Sequence, residues 1–527
     1  MSVMGIDIGT GSCKSRVFAE NGTLLWHETA SYTCTSPRPD RIELDPALLW
    51  RRVGTVIRRS ARAVGDTDPV SVLAMATMGD SLVALGPDGA PLGPYIMYSD
   101  RRSAPQAARL AQEIGTERIF AITGMPPHPM NTLTKILWLQ ENEPEVFRRA
   151  SRFLCVEDFV MTRLGLPPTA SHSTASRTMA FSIRECRWSE QMLDAARVPR
   201  EKLAQTVPSG AIVGVIPRDA ARGLGLREGV RVVAGGLDQA CGILGADCAS
   251  PGSVQDSMGT QEILAFTMPK AGFTPAARRR LLSGRYSVNS HVLPDAFMIM
   301  GMIINPGQAL RWAARVLRAA PAGGGRSLDA LVETALSGRP PTHVTFLPYV
   351  SGRGTPDMDP AASGAMVGLD LTVSGLDLLR AALQGIAYEA AINVDVMEGL
   401  GLAITRFRCV GGGARSDATL QLRSDVLGRK VARMRDLEAA AVGAAVLAGV
   451  GGGVWGSWKE AAALLNGEER SFLPRPEYTD FYKRHRELHG ELARLVAPAS
   501  RMTGSSRPRA GDGDRSLIQR RRAEPWG

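Results

Sequence analysis

The chain has 527 residues, of which 44% are hydrophobic and 22% are charged, so it has enough material for two domains with separate cores. Its formal net charge is +10, and residues 501–527 supply +4 of it, with seven arginines against three acidic residues. No aromatic residues are interleaved with basic ones in a stacking pattern, which argues against a nucleic-acid partner. We expect residues 491–527 to form a basic, disordered tail.

The seven cysteines are scattered and form neither a Cys-x-x-Cys pair nor a His/Cys ligand cluster. This usage predicts a reducing, cytoplasmic location without structural zinc. The first five residues lack the basic and long apolar regions of a signal peptide. The uncharged segment from Ala439 to Trp458 is predicted to be a buried helix rather than a membrane span, because the glycines at 451–453 would break it.

Strand patterns dominate the first 35 residues, and Asn21-Gly22 predicts a two-residue hairpin turn between two of the strands. The pattern also predicts helices, and one strand at Val70–Met78. The predicted helices are Pro46–Val64, Ala104–Ile114, Leu378–Leu400 and Asp417–Leu427. Such alternation indicates an α/β fold with mixed sheets. We divide the chain into a first lobe, residues 1–247, and a second lobe, residues 248–490.

One acidic loop occurs twice, as Asp-Ile-Gly-Thr at residues 7–10 and as Asp-Ser-Met-Gly-Thr at residues 256–260. In each copy a strand ends in an acidic residue and turns tightly on glycine and threonine. The turn aims backbone N–H groups and a hydroxyl at one point, which suits phosphate oxygens, and the aspartate suits Mg²⁺. Two copies predict two similar lobes that close on one nucleotide.

Asp238 follows the apolar strand Val230–Ala234 and precedes a helix of small residues. An aspartate at such a junction is exposed at the mouth of a cleft, where it accepts a proton from a substrate hydroxyl that attacks phosphorus. The alternative is a turn aspartate that caps the next helix.

Two further patterns suggest ligand contacts. Three glycines at 411–413 allow the backbone to approach a nucleotide closely; the alternative is a flexible turn with Ser416 or Asp417 as N-cap. Asp100 and Arg101 offer an acceptor and a donor to sugar hydroxyls, with a surface ion pair as the alternative, and Asp80 adds a second acceptor.

The order of these motifs resembles the FGGY carbohydrate kinases from about residue 3 to about residue 485. It runs Asp-x-Gly-Thr, Asp-x-Arg, Gly-Gly-x-Asp-Gln, Met-Gly-Thr and Gly-Gly-Gly-Ala. Residues 43–46, 173–179 and 347–360 agree as well. The resemblance implies two ribonuclease-H-like (actin-like ATPase) domains flanking a catalytic cleft. It also implies ATP-dependent phosphorylation of a sugar or polyol hydroxyl, and a homodimer is common in the family.

The resemblance assigns roles to individual residues. Asp238 would be the catalytic base and would hold Mg²⁺ together with Asp7. The implied substrate contacts are Asp80, Ser81, Asp100, Arg101, Asp238 and Gln239. The implied nucleotide contacts are Gly9, Thr10, Lys14, Gly259, Thr260, Asn305, Gln308, Gly411, Gly412, Gly413, Ala414 and Asp417.

The substrate loop departs from its relatives. Xylulokinases carry Met-His-Gly at this point and gluconate kinases Met-His-Ser, whereas this chain has Gly79-Asp80-Ser81. Asp80 should accept hydrogen bonds from hydroxyls and repel a carboxylate, because two anions within ~5 Å repel by about 1 kcal/mol or more. Residues 123–138, however, resemble gluconate kinases, and Arg101 or Arg102 could compensate the charge.

We therefore expect a neutral ketose or polyol, xylulose-like, as the substrate. Gluconate is the alternative within the family. The alternative from another class is an actin-like ATPase or regulatory module that transfers phosphate to no sugar.

Overall fold

Two mixed sheets of the same connectivity organise the computed structural model, which describes residues 1–259, 261–318 and 327–505. The strands are β1 (Ser2–Ile8), β2 (Ser12–Ala19), β3 (Leu24–Ser31), β4 (Thr35–Arg38), β5 (Arg41–Leu44), β6 (Val70–Thr77), β7 (Val83–Leu85), β8 (Tyr95–Ile96), β9 (Arg152–Leu154), β10 (Thr169–Ser171), β11 (Phe181–Ser182), β12 (Arg187–Trp188), β13 (Gln205–Val207), β14 (Ile212–Val215), β15 (Arg231–Leu237), β16 (Ser253–Met258), β17 (Glu262–Pro269), β18 (Ser287–Ser290), β19 (Ala296–Ile303), β20 (Thr345–Leu347), β21 (Ala365–Val367), β22 (Arg406–Val410), β23 (Val431–Met434) and β24 (Glu468–Phe472).

Helices connect the strands. They are α1 (Pro46–Val64), α2 (Ala104–Leu110), α3 (Thr116–Thr123), α4 (Thr132–Asn142), α5 (Pro144–Arg149), α6 (Val156–Arg163), α7 (His172–Ala175), α8 (Glu190–Ala196), α9 (Arg218–Gly223), α10 (Asp238–Gly245), α11 (Pro275–Ser283), α12 (Pro306–Arg318), α13 (Leu328–Leu336), α14 (Gly375–Glu398), α15 (Asp417–Leu427), α16 (Ala439–Gly451), α17 (Trp458–Leu465) and α18 (Thr479–Ser505). Short 3₁₀ turns occupy Ser176–Thr178 and Gly412–Arg415.

The two large sheets repeat one topology. Starting from β3, the order in the first sheet is β3-β2-β1-β6-β15-β14, with β1 antiparallel to β2 and parallel to β6. In the second, the order is β18-β19-β17-β16-β22-β23-β24, with β16 antiparallel to β17 and parallel to β22. A hairpin followed by parallel crossover strands therefore occurs twice, as expected of two ribonuclease-H-like lobes.

Local sequence signals predicted one helix and one hairpin turn correctly. Asp45 caps α1 by accepting from Ala47 N, and Pro46 starts the helix, so the predicted range is confirmed. The turn at Gly22 has a φ of +83° and joins β2 to β3, as Asn21-Gly22 predicted.

Two helices of small residues cross between the sheets. A Cβ on Gly443 would lie 1.8 Å from the carbonyl oxygen of Cys241, and one on Gly245 would lie 2.0 Å from that of Ala439. Glycine thus permits backbone contact between α10 and α16. Helix α16 also packs on β1, where a Cβ on Gly5 would lie 2.0 Å from the oxygen of Ala441. The prediction of a buried helix is confirmed, and it ends at Gly451.

The C-terminal prediction needs a correction. Residues 491–505, expected to be disordered, form the last turns of α18, which packs on α14, α15 and β20. Residues 506–527 lie outside the described residues. None of the helices in the described ranges is both long enough and apolar enough to cross a membrane.

Candidate active site

The site begins at the carboxyl ends of three parallel strands. Asp7 on β1 and Gly236 on β15 both pair with Ala76 on β6, the strand between them. A Cβ on Gly235 would lie 1.7 Å from the carbonyl oxygen of Met75, so glycine is required where β15 approaches β6. This register puts Asp7, Asp238 and the loop after β6 at one edge of the sheet.

The two aspartates at this edge have raised pKa values. Burial raises the pKa of Asp7 to about 7, and the charge of Asp238 adds to the effect. Burial likewise raises the pKa of Asp238 to about 6, although Gln239 N donates to its Oδ1 at 2.7 Å. A cation between two such carboxylates would stabilise their ionised forms. The pair therefore fits Mg²⁺, which is commonly held by one or two carboxylates together with substrate phosphates and water.

No larger ligand set competes with this pair. Within residues 1–259, 261–318 and 327–505, no group of three His, Cys, Asp or Glu residues could hold a metal ion.

The first acidic loop is bonded to neighbouring segments on both sides of an exposed Thr10. Tyr32 donates its hydroxyl to the Gly9 carbonyl, and Thr10 is exposed, with its side chain near that of Tyr98. Lys14 donates to Glu438 Oε2 at 2.6 Å, a residue that precedes α16. Gly9, Thr10 and Lys14 therefore lie on the loop and strand that follow Asp7.

The second acidic loop is chemically different from the first. Asp256 is fully buried, 3.6 Å from Arg423 Nη1, and Arg423 Nη2 donates to Glu262 at 2.6 Å. Burial raises the pKa of Asp256. This loop presents exposed backbone at Gly259 rather than a carboxylate. Thr260, the predicted phosphate contact, lies outside the described residues.

The glycine turn lies directly against the second loop. Gly411 has a φ of +83°, and a Cβ there would lie 3.2 Å from the Met258 oxygen. Gly412 and Gly413 are exposed, whereas Ala414 is buried. Ser416 caps α15 by accepting from Thr419 N, as the capping interpretation predicted, and this cap leaves the two exposed glycines free to approach a ligand.

Of three further residues predicted to contact the nucleotide, two are bonded to other side chains and the third is exposed. Asp417 accepts from Arg433 at 2.7 Å and from Arg470. Asn305 is bonded to Gln261, with Gln261 Nε2 donating to its Oδ1 at 2.9 Å. Gln308 is exposed in the first turn of α12. The pairing of Asn305 ties the start of α12 to the second acidic loop.

Asp80 is buried and forms a salt bridge that sequence reasoning did not predict. Arg177 donates from Nε and Nη2 to Asp80 Oδ2 at 2.8 and 2.7 Å. Lys135 Nζ donates to the Asp80 carbonyl at 2.6 Å. Burial raises the pKa of Asp80 and lowers that of Lys135 to about 8, while each charge opposes the shift of the other. The compensating charge therefore comes from Arg177, not from Arg101 or Arg102 as expected.

The predicted Asp100–Arg101 grip is arranged differently. Arg102, not Arg101, pairs with Asp100, through Nε at 2.9 Å and Nη2 at 2.8 Å, and Ile42 N donates to the same carboxylate at 2.7 Å. The pair is buried, so the surface ion pair is not observed either. Arg101 is exposed. Burial lowers the pKa of His128, and the charges of Arg101, Lys135 and Arg177 lower it further. Substrate contact by Asp100 and Arg101 stays a prediction.

Several buried polar atoms of the predicted substrate residues have no partner. Among the described residues, Asp80 Oδ1, Ser81 Oγ and Gln239 Oε1 lack a hydrogen bond. Buried polar groups are normally satisfied, so unsatisfied ones in a cleft indicate where a ligand would bind.

Sequence reasoning also missed residues that act at a distance along the chain. Glu157 on α6 accepts from Gly235 N at 3.0 Å and from Ser171 N at 2.8 Å, which fixes the strand before Asp238. Tyr98 lies two residues before Asp100, and its side chain is near that of Thr10. Its place in the tight segment after Pro94 was the available signal.

Comparison with known proteins agrees with this geometry. The N-terminal domain of the FGGY family of carbohydrate kinases matches residues 2–245, and the C-terminal domain of that family matches residues 257–452. A xylulose kinase of Escherichia coli is 29% identical over 94% of this chain and 99% of its own, and a glycerol kinase of Citrifermentans bemidjiense is 30% identical over 92% and 96%.

A solved structure adds the fold. The xylulose kinase of Rhodospirillum rubrum has a TM-score of 0.86 at 26% identity and covers 95% of this chain and 100% of its own. Relatives named for different substrates are similar to this chain to about the same degree, so identity alone does not choose a substrate. Both halves of the protein match, however, and the chain belongs to the FGGY family of carbohydrate kinases and is an ATP-dependent sugar kinase.

Proposed function

We propose that the protein transfers the γ-phosphate of ATP to a hydroxyl of a neutral ketose or polyol, xylulose-like, with Asp238 as the general base. The observation that carries the substrate class is the unpaired, buried Oδ1 of Asp80, considered among the described residues. An ionised carboxylate accepts hydrogen bonds only, so its partner must be a donor. A sugar hydroxyl is such a donor, whereas an ionised carboxylate is not, so gluconate could meet this atom only through its hydroxyl groups.

Gln239 supports the same class. Its amide oxygen is a second unpaired acceptor in the part of the chain that the structure describes, one residue after the proposed base. Two acceptors suit a ligand with several hydroxyl groups. Charge repulsion between Asp80 and a substrate carboxylate does not decide between a neutral substrate and gluconate, because Arg177 is bonded to the Asp80 carboxylate.

In the proposed reaction, Asp238 accepts the proton of the attacking hydroxyl while that oxygen forms a bond to the γ-phosphorus of ATP. The bond from this phosphorus to the bridging oxygen breaks, and ADP leaves. The raised pKa of Asp238 brings its basicity closer to the working pH, which favours proton transfer. Gly9, Thr10, Lys14 and the backbone at Gly259 would surround the phosphates.

Asp7 and Asp238 would hold Mg²⁺, which supplies charge neutralisation to the phosphates when bound. Gly411, Gly412, Gly413, Ala414 and Asp417 would lie at the adenosine, with Asn305 and Gln308 nearby.

The test is ADP release from Mg-ATP in the presence of xylulose, ribulose, arabitol, glycerol, fructose or gluconate. Stimulation by one of the neutral compounds is expected. Asp80→Asn should then raise the KM for that compound by about tenfold, because an amide replaces the charged acceptor. Stimulation by gluconate alone, or by none of these compounds, would contradict the proposed substrate class.

Gluconate is the second candidate because residues 123–138 resemble gluconate kinases and Lys135, from that segment, lies at Asp80. Together with Arg177, Lys135 makes the charge around Asp80 net positive. A gluconate kinase would therefore respond to Lys135→Met more strongly than to Asp80→Asn.

A further inference from the structure

Arg177 lies between the substrate aspartate and the second lobe. It belongs to the 3₁₀ turn Ser176–Thr178 and is 4% exposed. Nε and Nη2 donate to Asp80 Oδ2, and Nη1 points the other way, 3.3 Å from both Asn289 Oδ1 and Ser287 Oγ on β18. One guanidinium thus joins the substrate loop of the first lobe to the edge strand of the second sheet.

Strand β18 is fixed against the first lobe at this point. Val288 N donates to the Gly124 oxygen at 2.8 Å, and Ser290 N donates to Ser176 Oγ at 3.1 Å. A Cβ on Gly124 would lie 2.0 Å from the Val288 oxygen, so the two backbones touch. These bonds flank Asn289 on both sides and hold its amide oxygen opposite Arg177.

The surroundings of Asp80 explain why a partner is needed. The residue is buried and has a left-handed backbone with a φ of +65°. The charged and titratable groups that act on it or feel its charge come from several elements: Arg177, Lys135, Asp238, Tyr98 and Cys155. Lys135 bonds to its carbonyl, whereas Arg177 bonds to its carboxylate. Without Arg177 the buried Asp80 carboxylate would lose the bonds that orient it. Keeping it ionised would then cost free energy, because a buried charge without a partner is unfavourable.

We propose that Arg177 is the positioning residue that fixes the Asp80 carboxylate for the substrate, and that Asn289 and Ser287 hold Arg177 from the second lobe. The proposal rests on the proposed function, since it assigns to Asp80 a substrate hydroxyl. Recognition of the substrate then depends on contact between the lobes. By thermodynamic linkage, if contact between the lobes increases the affinity for the substrate by some factor, substrate binding increases the equilibrium constant for that contact by the same factor.

The experiment measures KM and kcat separately for the neutral compound that most stimulates ADP release, in wild type, four single variants and one double variant. Arg177→Met removes the guanidinium, and Asn289→Ala removes one of its two second-lobe partners together with the bond from Asn289 Nδ2 to Ser287 Oγ at 3.3 Å. Asn289→Asp keeps an acceptor opposite Arg177. Ser290→Ala is the matched control, because its buried Oγ on the same strand has no partner among the described residues.

Asn289→Ala should raise the KM for the sugar by about tenfold with kcat within about twofold of wild type, the size expected for one hydrogen bond from a charged donor. Asn289→Asp and Ser290→Ala should keep the KM of wild type. In the double variant Arg177→Met/Asn289→Ala, the second change should add nothing to the first, because Asn289 acts through Arg177. Unchanged melting temperatures would exclude a general loss of folding.

The proposal is overturned if Asn289→Ala leaves the KM unchanged, or if its effect adds fully to that of Arg177→Met. If Arg177→Met unfolds the protein, the KM of Asn289→Ala compared with that of Ser290→Ala still tests the proposal. Failure of the proposed function is a separate result: wild type itself would then show no stimulation by any neutral compound, and this inference would fall with it.

Discussion

Lys14 and Glu438 form an ion pair across the two lobes, with Lys14 Nζ 2.6 Å from Glu438 Oε2. Lys14 stands opposite Asp7 in the β1–β2 register, so both side chains lie on one face of the sheet. Two residues further along β2, Arg16 bonds to Asp436 in the same second-lobe loop. The strand that follows the first acidic loop is therefore tied to the residues that precede α16.

Lys14→Met should raise the KM for ATP by about tenfold and leave the KM for the sugar unchanged, because a phosphate would lose one charged donor. Steady-state kinetics with each substrate varied in turn checks this. The single change also leaves Glu438 unpaired, so Lys14→Met/Glu438→Gln is the control. If the double variant regained the wild-type KM for ATP, the ion pair and not a phosphate contact would explain the effect.

The pH dependence of kcat/KM for the sugar should show an acid limb near pH 6. Asp238 must be ionised to accept a proton, and burial raises its pKa to about 6. Activity is thus present above this pKa and falls about tenfold per unit below it. Raising the Mg²⁺ concentration should move the limb to lower pH, since a bound cation stabilises the carboxylate. A profile that stays flat down to pH 5 at low Mg²⁺ would argue against a base with this pKa.

Asp158→Asn should stabilise the protein more at about pH 8 than at about pH 5. Burial raises the pKa of Asp158 to about 7, and its Oδ1 has no partner within the described ranges. Between about pH 4 and pH 7 the folded state therefore binds more protons than the unfolded chain, so this group destabilises the fold increasingly as pH rises. The difference in the variant's effect between the two pH values should be on the order of 2–3 kcal/mol.

Denaturant unfolding at both pH values measures this difference. Asp219→Asn, a change at an exposed carboxylate, is the control and should have a similar small effect at each pH. An equal gain from Asp158→Asn at both pH values would show that the group does not titrate in this window.

Much of the fold was predictable because its signals are local. Helix α15 has the predicted limits, since Ser416 caps its first turn and Gly428, with a φ of +63°, ends it. The repeated acidic loop predicted two similar lobes, and the two sheets repeat one strand order. The C-terminal prediction failed for residues 491–505, because the composition typical of disorder belongs to residues 501–527, whereas the Leu- and Ala-rich residues before them continue α18, which packs on its neighbours.

The site was less predictable where partners are far apart in sequence. Asp80 could be identified from its loop, but Arg177 is separated from it by 97 positions, and nothing in either segment specifies the pairing. Arg101 and Arg102 are adjacent, and only the turn after β8 decides that Arg102 faces Asp100. Likewise the two acidic loops have similar sequences, although the second has one more residue between its aspartate and its glycine, and Arg423 and burial remove Asp256 from the cleft.

The most direct test of sugar phosphorylation with Asp238 as the base compares wild type with Asp238→Asn, using the neutral compound that stimulates wild type. Phosphorylated product and ADP are measured together, with binding of Mg-ATP and a melting temperature as controls for the site and the fold. The account predicts that kcat falls by about 100-fold or more while the variant still folds and binds ATP. Full sugar phosphorylation by Asp238→Asn would contradict it.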